Sequence, residues 1–263
     1  MNIKPRSFLP IALLSLLALA CTAPGGTGSP TPTASPTTGA SPSPTPSATP
    51  APPSPSPSPS VGPTAVDSAA QAAALVFASD PRWAQMVPLR PDLIGASMWY
   101  EAIEAVGGFA VTITAGSGDC EAGCIDKHRW NYHVDYGGTV TLASEDGDDV
   151  DVEPVDGGDG PARVTVQLTA GPTCPVEQVP PDPNCEGRSV VNAEIVIRDA
   201  SGVEVGRAAS DDQGMVVFQL DAGAYYAEAQ PVEGLMGTPE AQAFSVVGGG
   251  EAGLLMGYDT GIR

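Results

Sequence analysis

One long stretch of this chain has a composition that does not build a folded core. Residues 22–64 contain 14 of the chain's 28 prolines and no charged residue. Proline alternates there with Ser, Thr, Ala and Gly, which together offer too little apolar surface to offset the entropy of folding. We therefore predict a disordered Pro/Ser/Thr stalk over 21–64. About 200 of the 263 residues remain to fold, enough for more than one small domain.

The first 20 residues predict export. Lys4 and Arg6 precede an apolar run over 8–20, which is too short to cross a bilayer and fits the central region of a signal peptide. The run ends Leu-Ala-Leu-Ala-Cys21 and so resembles a bacterial lipoprotein signal. The resemblance implies that Cys21 is acylated and that the chain is exported and lipid-anchored to the outer face of the cell membrane. The alternative is ordinary signal cleavage near Ala20.

The charge balance limits the choice of partners. The chain has 31 acidic residues against 11 lysines and arginines, giving a net charge of −20. Nucleic acids and anionic lipid surfaces are bound through clustered basic residues, so we expect neither as a partner. We expect membrane contact through the lipid anchor only, and a monomer.

Four cysteines remain when Cys21 is assigned to lipid: Cys120, Cys124, Cys174 and Cys185. An even number of cysteines in an exported chain predicts two disulfides. Three pairings are open, and the local one, Cys120–Cys124 with Cys174–Cys185, is the simplest.

Residues 65–146 predict a small α+β domain. Asp67 or Ser68 can cap a helix over 69–77, and Pro81 follows its end. Alternating apolar residues separated by glycine turns then predict a four-stranded antiparallel meander, with strands over 97–105, 109–114, 128–135 and 139–143. The acidic, Gly-rich stretch 147–160 reads as a solvated linker.

Residues 161–263 predict a seven-stranded β-sandwich. The strands are expected over 164–169, 193–198, 203–208, 215–220, 225–229, 243–247 and 253–258. Asp199–Gly202, Asp211–Gly214 and Asp221–Gly223 mark turns. The run Gly248-Gly249-Gly250 matches G-x-G-x-x-G with Gly253, but a strand follows it, so we interpret it as a hairpin turn rather than a dinucleotide site.

Specific residues in this second part resemble the carboxypeptidase-regulatory-like, prealbumin-type domain. They are the A-x-I-x-I pattern from Ala193, the D-x-x-G turn at Asp211, the V-x-F-x-L pattern from Val216, and Gly223 with Tyr225. The resemblance implies an Ig-like or prealbumin-like sandwich. Such domains are usually non-catalytic modules for spacing, adhesion or carbohydrate-type binding. Residues 132–147 resemble PepSY-like or cystatin-like exported domains, which bind or inhibit other proteins.

A metal site is a weaker interpretation. Cys120, Cys124, His128 and His133 have the spacing C-x3-C-x3-H-x4-H, which is similar to a zinc site. Oxidation would remove the thiolates, however, and two histidines five apart on a strand point to opposite faces. The acidic run that includes Asp146 and Asp148 does not fit a calcium loop. We therefore expect no metal and no cofactor.

The function expected from these patterns is binding. No motif of a serine hydrolase, zinc protease or phosphate loop occurs in the sequence, and a metal-dependent hydrolase is the third choice. The leading hypothesis is a non-catalytic surface lipoprotein that binds an envelope protein or glycan, or acts as a spacer. The alternative is an inhibitor or chaperone-like partner of an exported enzyme, acting through 65–146. Candidate binding residues are Trp99, Trp130, His128, Leu235 and Met236.

Overall fold

A computed structural model describes residues 65–90, 94–175, 182 and 185–262, within one compact unit, Ser58–Arg263. The predicted signal, Cys21 and the predicted stalk lie outside the described residues. Within the described part, none of the helices has the length and apolar character needed to cross a membrane.

The helix, α1, covers Ala69–Ser79 and confirms the predicted start. Ser68 is its N-cap, and the Ser68 Oγ accepts a hydrogen bond from the Gln71 backbone N–H at 3.2 Å. The Gln71 side chain reaches back and accepts from the Asp67 N–H at 3.2 Å, so donors at the helix start are paired in both directions. A single 3-10 turn, Pro81–Trp83, follows the helix.

The predicted four-stranded meander is confirmed. Neighbouring strands pair antiparallel in the order β1-β2-β3-β4. The strands are β1 (Met98–Ala105), β2 (Gly108–Ser117), β3 (Asp126–Asp135) and β4 (Val140–Gly147). Strand β4 is longer than expected, because the residues from Ser144 to Gly147 continue the pairing with β3.

The rest of the chain forms two further sheets. One has the order β11-β10-β7-β8, and in the other β5 pairs with β12 on one side and with β6 and β9 on the other. The strands are β5 (Ala162–Gly171), β6 (Arg188–Ser189), β7 (Glu194–Asp199), β8 (Glu204–Ala209), β9 (Met215–Leu220), β10 (Gly223–Ala229), β11 (Gln242–Val246) and β12 (Glu251–Asp259). The count of seven strands is not confirmed, because the short β6 makes an eighth.

The two sheets pack face to face in a β-sandwich-like arrangement. Alternate residues of β5, β9 and β12 meet alternate residues of β7, β10 and β11 in one buried cluster that includes Leu168, Ile197, Phe244 and Met256. The period of two that places these side chains inward is the pattern from which the strands were predicted.

The expected hairpin at Gly248–Gly250 is wrong. Strand β11 belongs to one sheet and β12 to the other, where β12 runs parallel to β5. The turn therefore carries the chain from one sheet across to the other. A local glycine pattern marks the turn but not the strand that the chain pairs with afterwards.

A second buried cluster joins the meander to the sandwich. Helix α1 lies between them and contacts β1 and β2 on one side and β10 and β11 on the other. This cluster contains Trp83 and Trp130 together with Ala224, Tyr226 and Ala243 from the outer face of the sandwich. The two predicted domains therefore share a core. Part of the presumed linker also packs there, because Val150 and Val152 lie half-buried against this cluster.

Both local disulfides are confirmed. Cys120 is bonded to Cys124 in the loop between β2 and β3, and Cys174 is bonded to Cys185 between β5 and β6. Neither pair therefore offers a thiolate to a metal ion.

Candidate functional site

A groove of about 860 Å³ runs along the outer edge of β1. Consecutive β1 residues from Trp99 to Glu104 line one side of it. The opposite wall is the segment 239–242, which leads into β11, and the first turn of α1 contributes residues 68–70. Both predicted domains thus contribute to this groove.

The backbone of β1 is open toward the groove. Gly116 N–H donates to the Ser97 carbonyl at 2.7 Å, so this pair begins the ladder with β2. Since hydrogen-bonded pairs alternate along antiparallel strands, the backbone groups of Met98, Tyr100, Ala102 and Glu104 point away from β2. Strand β1 is at the edge of its sheet, and these four residues present their N–H and C=O groups outward.

The outer edge of β11, across the groove, is closed by two contacts. The Tyr100 hydroxyl donates to the Ala243 carbonyl at 2.9 Å and accepts from the Ala243 N–H at 2.9 Å. The Ser245 N–H donates to the Met86 carbonyl at 2.8 Å. Burial raises the pKa of Tyr100 well above its ordinary value, so its hydroxyl keeps the proton that it donates. Of these two facing edges, β1 therefore retains the free backbone groups.

Gln242 lines the same groove and has a shielded amide oxygen. Its Nε2 donates to the Leu255 carbonyl at 2.8 Å, which fixes the amide. Its Oε1 is shielded from solvent and has no hydrogen-bond partner among the described residues. A buried oxygen in this state costs free energy until a donor reaches it.

The groove is acidic. Its charged lining residues, within the described part of the chain, are Glu101, Glu104 and Glu240. Glu104 accepts a hydrogen bond from the Tyr136 hydroxyl at 3.2 Å, and Glu101 and Glu240 are exposed. The charge of this lining favours a cationic ligand.

The predicted tryptophans occupy different environments. Trp99 is half-buried and lines the groove. Trp130 is buried and packs edge-to-face on Trp83, with ring centroids 5.0 Å apart. Trp130 thus contributes to the core between α1 and the meander, whereas Trp99 is available at the surface.

His128 lies against the Trp130 ring, with centroids 4.4 Å apart. Its Nδ1 is 2.6 Å from the Asp148 carbonyl oxygen, so the Nδ1–H group donates there. Its Nε2 is buried and has no partner among the described residues. The hydrogen bond from Nδ1 holds Asp148, near the start of the presumed linker, against β3.

Among the other metal candidates, Asp148 meets His128 through its carbonyl only, since its carboxylate accepts from the Lys127 N–H at 2.9 Å. His133 lies on the opposite face of β3, where its Nε2 is 3.3 Å from the Val106 carbonyl oxygen. Asp146 is bound by Asn131 at 3.2 Å and by Arg129 at 3.4 Å. No group of three metal-ligating side chains forms among the described residues.

Leu235 and Met236, expected as a pair, have different surroundings. Leu235 is half-buried and packs against the sandwich core, whereas the Met236 side chain is 78 % exposed. The Met236 N–H donates to the Asp259 carbonyl at 2.8 Å, which holds this loop against the end of β12. Only Met236 projects from the surface.

The sequence patterns singled out one residue of the groove lining as a candidate for binding, Trp99. They did not single out Glu101, Glu104, Tyr100 or Gln242. Their roles depend on contacts between β1 and β11, which lie more than a hundred residues apart in sequence. No local pattern reports such a contact.

Comparisons with known proteins assign no family. No family model and no curated protein matches the chain. Among solved structures, a match is the Bacillus anthracis TIE protein, with a TM-score of 0.28 and 15% sequence identity. The match covers 66% of this chain and 33% of that one, so the chain spans about a third of that protein.

Proposed function

We propose that this chain is a non-catalytic binding module of the cell envelope, exported and anchored by lipid at Cys21. The ligand is an envelope protein, with an envelope glycan as the other class. The groove along β1 carries the proposal, because it combines an open strand edge with the surface aromatic Trp99. These are the features of a binding surface.

The fold of 161–263 supports a module of the carboxypeptidase-regulatory-like type. Ile195 and Ile197 face the sandwich core, as the resemblance requires, and so do Val216, Phe218 and Leu220. The Tyr225 hydroxyl donates to the Asp221 carbonyl at 3.0 Å and fixes the start of β10. The proposed domain type concerns the fold, and a fold of this type does not by itself assign a function.

The inhibitor or chaperone-like alternative through 65–146 has one observation in its favour. Trp99 and the 66 % exposed Ile103 both lie on β1. The segment 239–242 forms the opposite wall, however, so a ligand in the groove would contact both parts of the chain.

The test is photo-crosslinking of the full-length chain in its own host. A photoreactive residue is placed at Ile103 beside the groove and, as a matched control, at Val217, an exposed apolar position on β9. We expect one dominant envelope protein to be captured from Ile103 and not from Val217. Equal capture from both positions, or none from either, would contradict specific binding and favour a spacer.

The anchor has its own test. Replacing Cys21 with Ser should move the chain from the membrane fraction to the medium or periplasm, because the thiol is the site of acylation. A variant that stays in the membrane fraction would contradict lipid anchoring at Cys21.

A further inference from the structure

We propose that the open edge of β1 binds an extended, basic segment of another protein as an added β-strand. This inference rests on the proposed binding function and names the class of ligand. Three features of the molecule support it: the backbone of β1, the size of the groove and the charge of the lining.

The backbone of β1 offers hydrogen-bonding groups to an added strand. Met98, Tyr100, Ala102 and Glu104 direct their N–H and C=O groups away from β2. An incoming strand would pair with these four residues at the usual spacing of about 4.8 Å. Such pairing supplies affinity from the main chain and leaves side-chain pockets to set specificity.

The groove has the shape that this pairing needs. Strand β1 has 8 residues. At about 3.4 Å per residue, its edge is about 27 Å long. The groove follows six consecutive residues of this edge, from Trp99 to Glu104, and has a volume of about 860 Å³.

Charge selects a basic segment. Glu101, Glu104 and Glu240 make the lining acidic, and the chain as a whole has a net charge of −20. Glu104 lies on the face of β1 opposite to Trp99, Glu101 and Ile103, because side chains alternate along a strand. Lysine or arginine at alternate positions of the added strand would meet Glu104 on one face, and apolar residues on the other face would lie beside Trp99 and Ile103.

Two other occupants fit less well. A second copy would bring Glu101 and Glu104 against the same residues and would add its own net charge of −20. The chain's own segment 54–59 has proline at every second residue, and proline has no N–H to donate to a ladder.

The first experiment titrates the full-length chain with synthetic peptides. The probe is an octapeptide of alternating lysine and valine. One control replaces lysine with glutamate, and the other carries N-methyl groups on alternate amides, which removes donors but keeps the charge. We expect calorimetric binding of the lysine–valine peptide at least tenfold tighter than of either control, with slowed hydrogen exchange at the outward amides of β1.

A pair of proline variants locates the binding. Ala102→Pro removes an outward N–H from β1, a place where an edge strand tolerates proline. Ala209→Pro is the matched control, because Ser210 pairs with Ala193 and the Ala209 N–H faces away from β7 at another sheet edge. Ala102→Pro should weaken peptide binding at least tenfold and Ala209→Pro should leave it unchanged, with melting temperatures measured for both.

A charge variant covers the case in which Ala102→Pro fails to fold. Glu104→Gln with Glu240→Gln should weaken the binding of the lysine–valine peptide several-fold and should reduce the salt dependence of binding. Glu233→Gln with Glu251→Gln is the matched control, since both residues are exposed and lie outside the groove lining. Equal weakening by the two pairs would overturn the assignment to the groove.

The remaining outcomes separate this proposal from the proposed function. Equal binding of the N-methylated peptide means attraction by charge alone and overturns strand addition. Capture of an envelope protein from Ile103, with no binding of any peptide, also overturns strand addition but leaves the binding function standing. Peptide binding that requires deletion of 22–57, or a dimer that Ala102→Pro dissociates, assigns the edge to the chain's own segment or to a second copy.

Discussion

Three aspartates hold tight turns between consecutive strands of this protein. Asp135, Asp199 and Asp211 each stand three residues before a glycine with φ between 74° and 89°. In every case the Oδ1 atom accepts from the N–H groups two and four residues further along, at 2.8–3.0 Å. The carboxylate thus satisfies turn donors that the ladder leaves unpaired, while glycine adopts the left-handed conformation.

Asp211→Ala should destabilise the fold by about 1 kcal/mol, because two backbone donors lose a hydrogen bond at the surface. The matched control is Asp212→Ala in the same turn, whose carboxylate makes no hydrogen bond among the described residues, and it should change stability by less than about 0.5 kcal/mol. Urea denaturation of both variants measures the difference. Equal losses would show that the Asp211 hydrogen bonds contribute nothing.

Asp135 should contribute to acid sensitivity. Its hydrogen bonds with Thr139, and then with Gly137, hold the pKa of this carboxyl below its ordinary value. Because the folded-state pKa lies below the unfolded one, this stabilisation is complete above the unfolded pKa and is lost as the pH falls through the folded pKa. Asp135→Asn should therefore lose less unfolding free energy than the wild type between pH 7 and about pH 3. Asp212→Asn is the control, and an unchanged slope for Asp135→Asn would contradict the assignment.

At the scale of elements, α1 is the part on which the two predicted domains meet. The helix carries apolar residues on every side and has Ala72, Ala73 and Ala74 fully buried. Such a helix is typical of a buried position, here with β1 and β2 on one side and β10 and β11 on the other. Alanine lets both sheets approach the helix closely. Phe77 adds an edge-to-face contact with Tyr100, with ring centroids 5.0 Å apart.

Ala73→Leu should cost about 1–3 kcal/mol, because the extra carbons have no free volume between the two sheets. Ala78→Leu makes the same change at an exposed position of the same helix and should alter stability by less than about 0.5 kcal/mol. Thermal denaturation followed by circular dichroism compares the two. Similar melting temperatures for both variants would mean that the helix is not tightly enclosed.

At the scale of the whole molecule, the meander and the sandwich are joined by a shared core and by hydrogen bonds. The Tyr100 hydroxyl bonds both backbone groups of Ala243, and Ser245 is bonded to the 83–86 segment. Because these contacts are buried or half-buried, separating the two parts would expose apolar surface and unpaired polar groups together. We therefore expect them to unfold as one cooperative unit.

Calorimetry tests this expectation. The wild type should give one transition, with equal calorimetric and van't Hoff enthalpies. Tyr100→Phe should lower the unfolding free energy by about 1–3 kcal/mol, since it leaves both backbone groups of Ala243 without their partner. Tyr136→Phe, which removes an exposed hydroxyl bonded to Glu104, is the matched control. Two separate transitions in the wild type would contradict cooperative unfolding.

Local chemistry made much of this architecture predictable. Ser68 and the proline after Asp80 bound the helix, the Asp-x-x-Gly turns separate strands, and alternation places His128 and His133 on opposite faces of β3. The disulfide pairs also follow from proximity along the chain. The strand β6 was missed because two residues are too short to show a period.

By itself, the sequence determined the helix, the meander, most strands of the sandwich and the two disulfides, because caps, turns and alternation act between residues close along the chain. Only the tertiary structure decided that β12 joins β5 in parallel, that α1 is enclosed on both sides, and that the edge of β1 opens on a groove. These features depend on contacts such as Tyr100 with Ala243, whose free energy comes from long-range packing that no local pattern specifies.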